Sequence, residues 1–141
     1  MKLDKRRQSA AGFTLIEMLT AIVVAGILVA IAVPRFYLLL PTIRVSSAAR
    51  QVATDLQLAR MRAISQHTLY TVTFTSPKNY NFGADSRDLD QLYPGTTAAV
   101  LPANPSFNPV GTATADTTIT LSNGSVTKQV QVSAIGRVKI L

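Results

Sequence analysis

Residues 13–33 form an apolar stretch that carries a single charge, Glu17, and a basic cluster, Lys2, Lys5, Arg6 and Arg7, stands just ahead of it. At about 1.5 Å of rise per residue, roughly 20 residues of helix reach roughly 30 Å, the thickness of a bilayer's hydrocarbon core. The stretch is therefore expected to cross a membrane once. A removable secretory signal carries its small residues after the apolar core, whereas here Ala10, Ala11 and Gly12 precede it. A cut at Gly12 would leave the helix on the mature chain. Basic flanks stay on the cytoplasmic side. The carboxyl-terminal part of this single-pass protein is thus expected to face outward, which in a Gram-negative cell places the span in the inner membrane and that part in the periplasm.

Glu17 sharpens this reading, because an ionised carboxylate inside a membrane span costs on the order of 2.5 kcal/mol or more unless a cation neutralises it. Cleavage after Gly12 would create an α-amino group on Phe13, whose ordinary pKa of about 8 keeps it mostly protonated at neutral pH. In a stagger of parallel helices, that amine can meet the Glu17 of a neighbour. The alternative is a carboxylate that snorkels to the headgroups from the first turns of the helix. Pro34, at the far end, is expected to interrupt helix hydrogen bonding between the membrane part and the external part. Its other reading is a simple kink at the membrane boundary.

The run Lys5-Arg6-Arg7 followed by Gly12-Phe13-Thr14-Leu15-Ile16-Glu17-Met18-Leu19 resembles the class III signal of type IV pilins and pseudopilins. The resemblance implies cleavage between Gly12 and Phe13 by a prepilin peptidase and N-methylation of Phe13. It further implies assembly with other pilins through the retained helix at an inner-membrane platform. In that family the glutamate matching Glu17 contacts the amino terminus of an adjacent subunit, and a proline is common where Pro34 stands.

Beyond the anchor the chain is long enough for one small domain. Val45, Ala49, Val52, Leu56, Ala59 and Ala63 recur at spacings of three and four, which defines one face of a helix that continues outward from the anchor. The other side carries Arg44, Arg50, Gln51, Thr54, Gln57, Arg60 and Arg62, a basic face expected in solvent. After His67 the period becomes two. Tyr70, Val72 and Phe74 share one side of a strand, a turn at Ser76-Pro77-Lys78-Asn79 follows, and Tyr80 and Phe82 return as a hairpin with its aromatic face on the helix.

Residues 83–116 contain Pro94, Pro102, Pro105, Pro109, Gly95 and Gly111, a composition that predicts an irregular external loop with at most short strands. Regular strands resume at Thr118, and Asn123-Gly124 signals a hairpin. Ile135-Gly136 then turns the chain into a last strand, with Val138 and Ile140 inward and Arg137 and Lys139 outward. Too little sheet is present to bury a core alone, so the helical face is expected to form one wall.

The expected fold class is α+β: a type IV pilin-like long N-terminal helix, its first half membrane-spanning, packed on an antiparallel β-sheet carboxyl-terminal domain. The parts are a leader over residues 1–12, a membrane helix over 13–34, an external helix over 35–67 and a β-rich head over 68–141. The head, ending in Gly136-Arg137-Val138-Lys139, resembles the GspH/FimT branch of pseudopilins, which commonly finishes in a Gly-Arg-x-Arg/Lys-like strand. In some DNA-uptake members of that branch the equivalent basic strand contacts DNA. Lys139 would hold a phosphate as a point charge, without the fork of an arginine.

Charge allows such a partner. The net charge is +7, and the leader, with four basic residues and Asp4, accounts for +3 of it. The remaining +4 becomes +5 for the external portion when the membrane carboxylate Glu17 is left out, enough to attract DNA weakly, without sequence preference and with steep salt dependence, through Arg137, Lys139, Arg60 and Arg62. Basic surface for packing against acidic neighbours is the competing reading.

Catalysis finds little material. His67 is the only histidine and sits where helix gives way to sheet, as a helix cap or a solvent-facing ring. Ser65 lies near it, but no third group completes a triad. Asp85, Asp88 and Asp90 do not follow calcium-loop spacing and have Arg87 among them, so a solvated acidic loop is expected. Cysteine is absent, which removes disulfides, thiol nucleophiles and cysteine metal sites together. The chain is expected to be no enzyme and to need no cofactor or metal.

Overall fold

A computed structural model of the chain describes residues 12–141; the leader expectation over residues 1–11, with its basic cluster, lies outside them. The chain divides into two compact units, one ending at Leu38 and the other comprising Leu39–Leu141. A single helix, α1 (Leu15–Gln66), contributes to both.

In the first unit α1 begins with a cap. The Thr14 hydroxyl oxygen accepts the Glu17 backbone N–H at 3.3 Å, one half of the Thr-x-x-Glu capping arrangement that satisfies an orphan donor of the first turn. From there to Leu38 every side chain is exposed, because the apolar residues are distributed all round the helix and not along one stripe. Pro34 and Pro41 both lie within α1, which the structure continues through them. Pro34 therefore removes one backbone donor without ending the helix, and the expected interruption is local.

In the second unit the face chosen by periodicity is the buried one. Val45, Ala49, Val52, Leu56, Ala59 and Ala63 are all in the core, and Ala48 and Ala53 widen the stripe. Their small side chains leave room for Tyr80, Phe82 and Phe107, the largest fully buried ones. Each Val, Leu or Phe removed from water here contributes about 1.5–3 kcal/mol. The helix ends in a Schellman motif. His67, at φ 52°, gives its N–H to Ile64, and Thr68 gives its own to Ala63, so two terminal carbonyls are satisfied and the imidazole stays in solvent.

Eight strands follow: β1 (Tyr70–Phe74), β2 (Asn79–Phe82), β3 (Asp85–Asp88), β4 (Thr97–Leu101), β5 (Ser106–Phe107), β6 (Thr117–Asn123), β7 (Val126–Val132) and β8 (Val138–Ile140), with a one-turn helix α2 (Leu89–Leu92) between β3 and β4. They make two four-stranded antiparallel sheets, ordered β3-β2-β1-β5 and β4-β6-β7-β8. The expected hairpin of Tyr80 and Phe82 is β1–β2, with Val72 opposite Phe82 and Phe74 opposite Tyr80.

Residues 83–116 hold short strands, as expected at most, namely β3, β4 and β5 with α2 between the first two, but these are paired into the sheets and not an irregular external loop. Their prolines and glycines punctuate strands and do not prevent them. Pro94 and Pro102 flank β4, and Gly83, Gly95 and Gly111 take positive φ between elements. Strand β4 pairs with β6 over its whole length, Thr97 with Ser122 through Leu101 with Thr118.

The hairpin β6–β7 is closed by Gly124-Ser125, one residue later than the Asn-Gly signal suggests, because Asn123 still pairs with Val126. Gly124 at φ 61° with Ser125 at negative φ is the pattern of a type II′ turn. In β8, Val138 is half-buried and packs on the core, while Ile140, expected inward, is 39% exposed.

Candidate functional site

The sequence-predicted residues fall into three groups. Gly12 and Phe13 precede the helix and are exposed, Phe13 at 78%, so the bond between them lies open. Glu17 is the third residue of α1, and its backbone carbonyl accepts the Thr20 hydroxyl at 2.9 Å. Its carboxylate has no ion-pair partner among the described residues. Around it Phe13, Met18, Ala21, Ile22 and Ala25 provide only apolar surface, so this carboxylate has unmet demand for a cation supplied from outside the chain. This one helix is long and apolar enough to cross a membrane, and none of its most apolar window is buried.

The second group is the basic face of α1, where Arg50 stays exposed as expected but the expectation of free solvated cations is corrected for Arg44, Arg60 and Arg62. Arg44 donates to the Pro94 carbonyl at 3.2 Å, and Arg60 Nε donates to the Gly111 carbonyl at 2.8 Å. Arg62 donates to the Tyr70 hydroxyl at 2.9 Å and pairs with Asp85 at 3.3 Å, its guanidinium 5.3 Å from the centre of the Phe82 ring. The hydrogen bond to Tyr70, with that to Asp85, holds Arg62 even more firmly protonated than a free arginine. Long arginine stems reach from the flank of the helix to the sheets, so position on a helical wheel understates what they touch.

The third group is the carboxyl-terminal strand. Gly136 takes φ 79°, and a Cβ there would collide with the Gly111 carbonyl oxygen and crowd Arg60 Nε. The glycine of Gly136-Arg137-Val138-Lys139 is thus required by a three-way junction of α1, the turn before β6 and the turn into β8. Ser133 fixes that turn: its N–H donates to the Arg137 carbonyl at 2.9 Å, and its hydroxyl oxygen accepts the Arg137 N–H at 3.2 Å. Arg137 and Lys139 are exposed, and neither side chain has a hydrogen-bond or ion-pair partner among the described residues. They share one shallow cleft with Gln131 and Ser133. Arg60 and Arg137 line a neighbouring groove, whereas Arg62 lies with Tyr70 and Asp85.

The aspartates expected as a solvated loop are each assigned. Asp85 pairs with Arg62, Asp88 caps α2 by accepting the N–H groups of Asp90 and Gln91, and Asp90 pairs with Lys78 at 2.9 Å. The Lys78 hydrogen bond, with the Gly95 N–H beside it, lowers the Asp90 carboxyl below its ordinary value. Among the described residues there is no cluster of three metal-ligating side chains.

One polar centre escaped the sequence reading. Asp55 is only 3% exposed. It accepts the Tyr80 hydroxyl at 2.6 Å and the Gln51 amide at 3.2 Å, and Arg87 Nε stands 3.7 Å away. Burial first, then the hydrogen bond to Asp55, raises the Tyr80 hydroxyl far above its ordinary 10.0. The signal was available: Asp55 lies three residues after Val52 and four before Ala59, on the apolar stripe. An acid there has to be paired.

Comparison with known proteins agrees with this architecture. The family model described as type II transport protein GspH matches residues 48–136, and the prokaryotic N-terminal methylation motif matches residues 7–33. No curated protein matches the sequence. Among solved structures, the type IV minor pilin FimU of Pseudomonas aeruginosa superposes with a TM-score of 0.60 at 18% identity, over 69% of this chain and 87% of that one. The minor pseudopilin EpsH from the type 2 secretion system of Vibrio cholerae gives 0.57 at 14% identity, over 70% and 96%. At such identities the superpositions speak for the fold, a long N-terminal helix packed on antiparallel sheet. The family match carries the relationship: this chain belongs to the GspH family, a family of structural pilin and pseudopilin subunits.

Proposed function

We propose that the protein is a minor subunit of a type IV pilus or a type II secretion pseudopilus. It is held in the inner membrane with its head on the periplasmic side until assembly. A prepilin peptidase cuts between Gly12 and Phe13, Phe13 is N-methylated, and an inner-membrane platform moves the helix from lipid into a bundle of related helices. The observation that carries this reading is the exposed apolar first half of α1 with one carboxylate near its start that has no ion-pair partner among the described residues. Lipid, and afterwards neighbouring helices, cover the apolar surface, and the amine of an adjacent Phe13 neutralises Glu17. Pro34 leaves one carbonyl without its helical donor near the outer end of that segment.

Glu17→Ala tests the pairing. The variant should be cut at Gly12 and stay in the membrane, yet enter filaments poorly, as read by immunoblots of sheared filaments beside membrane fractions. Normal filament entry would remove the pairing. Amino-terminal sequencing of the membrane form that began at Met1 would remove the processing.

A second reading, DNA capture for transformation, is favoured by the free side chains of Arg137 and Lys139 on one exposed strand. Arg60 and Arg62 add little to it, since both are committed within the head. Gel-shift titration of the detergent-solubilised protein at two salt concentrations tests it. Binding that is unchanged in Arg137→Ala and Lys139→Ala removes this strand as the site.

A further inference from the structure

A groove runs between the outward side of α1 and the turn into β8, with Gln57, Met61, Ile64, Ile135, Arg137 and Val138 among its walls. Three of these are large apolar side chains left in solvent, Met61 at 59%, Ile64 at 43% and Ile135 at 70%. Single exposed apolar residues are ordinary on a protein surface, but three converging on one concavity mark a contact surface.

The same groove borders an open sheet edge. Gln129 and Leu141 exchange backbone hydrogen bonds in both directions, and Ser133 N–H donates to the Arg137 carbonyl. That phase directs the backbone groups of Arg137, Lys139 and Leu141 toward β7. Val138 and Ile140 therefore aim their N–H and C=O groups away from the sheet, where β8 is the terminal strand and no further strand among the described residues takes them.

Charge completes the description. Among the described residues the Arg137 guanidinium is unpaired, and no acidic side chain lines the groove. Asp116, near the turn, is committed to the Ala134 N–H.

Resting on the subunit reading above, we propose that this groove takes an extended segment of a neighbouring pilin-like subunit, acidic on one residue and apolar on others, which adds to the free edge of β8. Main-chain bonds to Val138 and Ile140 hold the segment. Its alternate side chains cover Met61, Ile64 and Ile135, and its carboxylate meets Arg137. A nucleic-acid strand suits the groove less well, since Met61, Ile64 and Ile135 give it aliphatic walls, Arg60 is held by the Gly111 carbonyl, and no aromatic ring is among its lining residues to stack a base.

The test compares filaments containing the full-length protein with the detergent-solubilised subunit. In filaments, the amides of Val138 and Ile140 should lose their fast hydrogen exchange, and a photo-cross-linker placed at Met61 should join one acidic, extended segment of a neighbour. Arg137→Glu should abolish that cross-link, and changing the neighbour's acid to arginine should restore it. Arg137 is exposed and its side chain holds nothing within the head, so the melting temperature should stay unchanged. Fast exchange at both amides within filaments, a cross-link indifferent to Arg137→Glu, or one that captures DNA or a helix would overturn the groove assignment alone. A wild-type chain that never enters filaments would instead overturn the subunit reading beneath it.

Discussion

Two stretches of one helix treat apolar side chains in opposite ways. Ile16 and Leu28 in the first unit are 63% and 62% exposed, whereas Val45 and Leu56 in the second are fully buried. Composition and distribution both separate them: the first stretch has one charge and apolar residues all round the helix, which leave no polar side to face water, while the second mixes arginines and polar residues with an apolar stripe at spacings of three and four that lets the protein cover its own helix. The first stretch depends on lipid or on other chains. The second is satisfied by this chain's own sheets.

The sharpest way to break that comparison is a matched pair of truncations. Leu56→Ala should destabilise the head by roughly 2–5 kcal/mol, whereas Leu28→Ala should leave the melting of the head unchanged. Equal effects, measured by thermal unfolding in detergent, would abolish the distinction.

A smaller effect probes the polar centre of the second region. Tyr80→Phe should cost about 1–3 kcal/mol by leaving Asp55 one donor short. Because the folded state holds Tyr80 protonated well above its ordinary 10.0, its contribution is complete below that pH and declines above it, as the unfolded chain ionises first. Wild type should therefore lose stability faster than Tyr80→Phe above about pH 10.

The smallest change is expected at an exposed pair. Lys78 depresses the Asp90 carboxyl below its ordinary 3.8, so this contribution is present above that pH and disappears as pH falls through the lowered value. Asp90→Asn should flatten the acid limb of the stability curve slightly and leave neutral stability nearly unchanged. A steeper acid limb would show the pair to be unfavourable.

What could be read without coordinates followed from periodicity. Val45 through Ala63 announce a buried stripe at helical spacing, and Tyr70-Val72-Phe74 announce a strand, because burial leaves a regular imprint on residue choice. The partners of Arg44, Arg60 and Arg62 left no such imprint. Each guanidinium reaches an acceptor far away in the chain, as Arg60 reaches Gly111 fifty-one positions on. Strand β4 was hidden for a different reason, since Pro94 and Pro102 read as an irregular loop until β6 supplies a partner along its whole length. Thr14 and Glu17 show a signal present but unread, for Thr-x-x-Glu before an apolar run is a helix start by itself. The free edge of β8 depends on which residues exchange bonds with β7, a phase no single strand encodes.

The type II′ turn at Gly124-Ser125 has a practical consequence. Nothing lies within 4 Å of where a Gly124 side chain would begin, and the tip belongs neither to the groove beside Arg137 nor to the apolar start of α1. A short epitope or a small fluorophore-binding tag inserted between those two residues would lengthen a hairpin already stabilised by seven paired positions. The molecule thus offers a place to attach a label with which its location in a cell can be followed while the groove and the apolar start of α1 stay untouched.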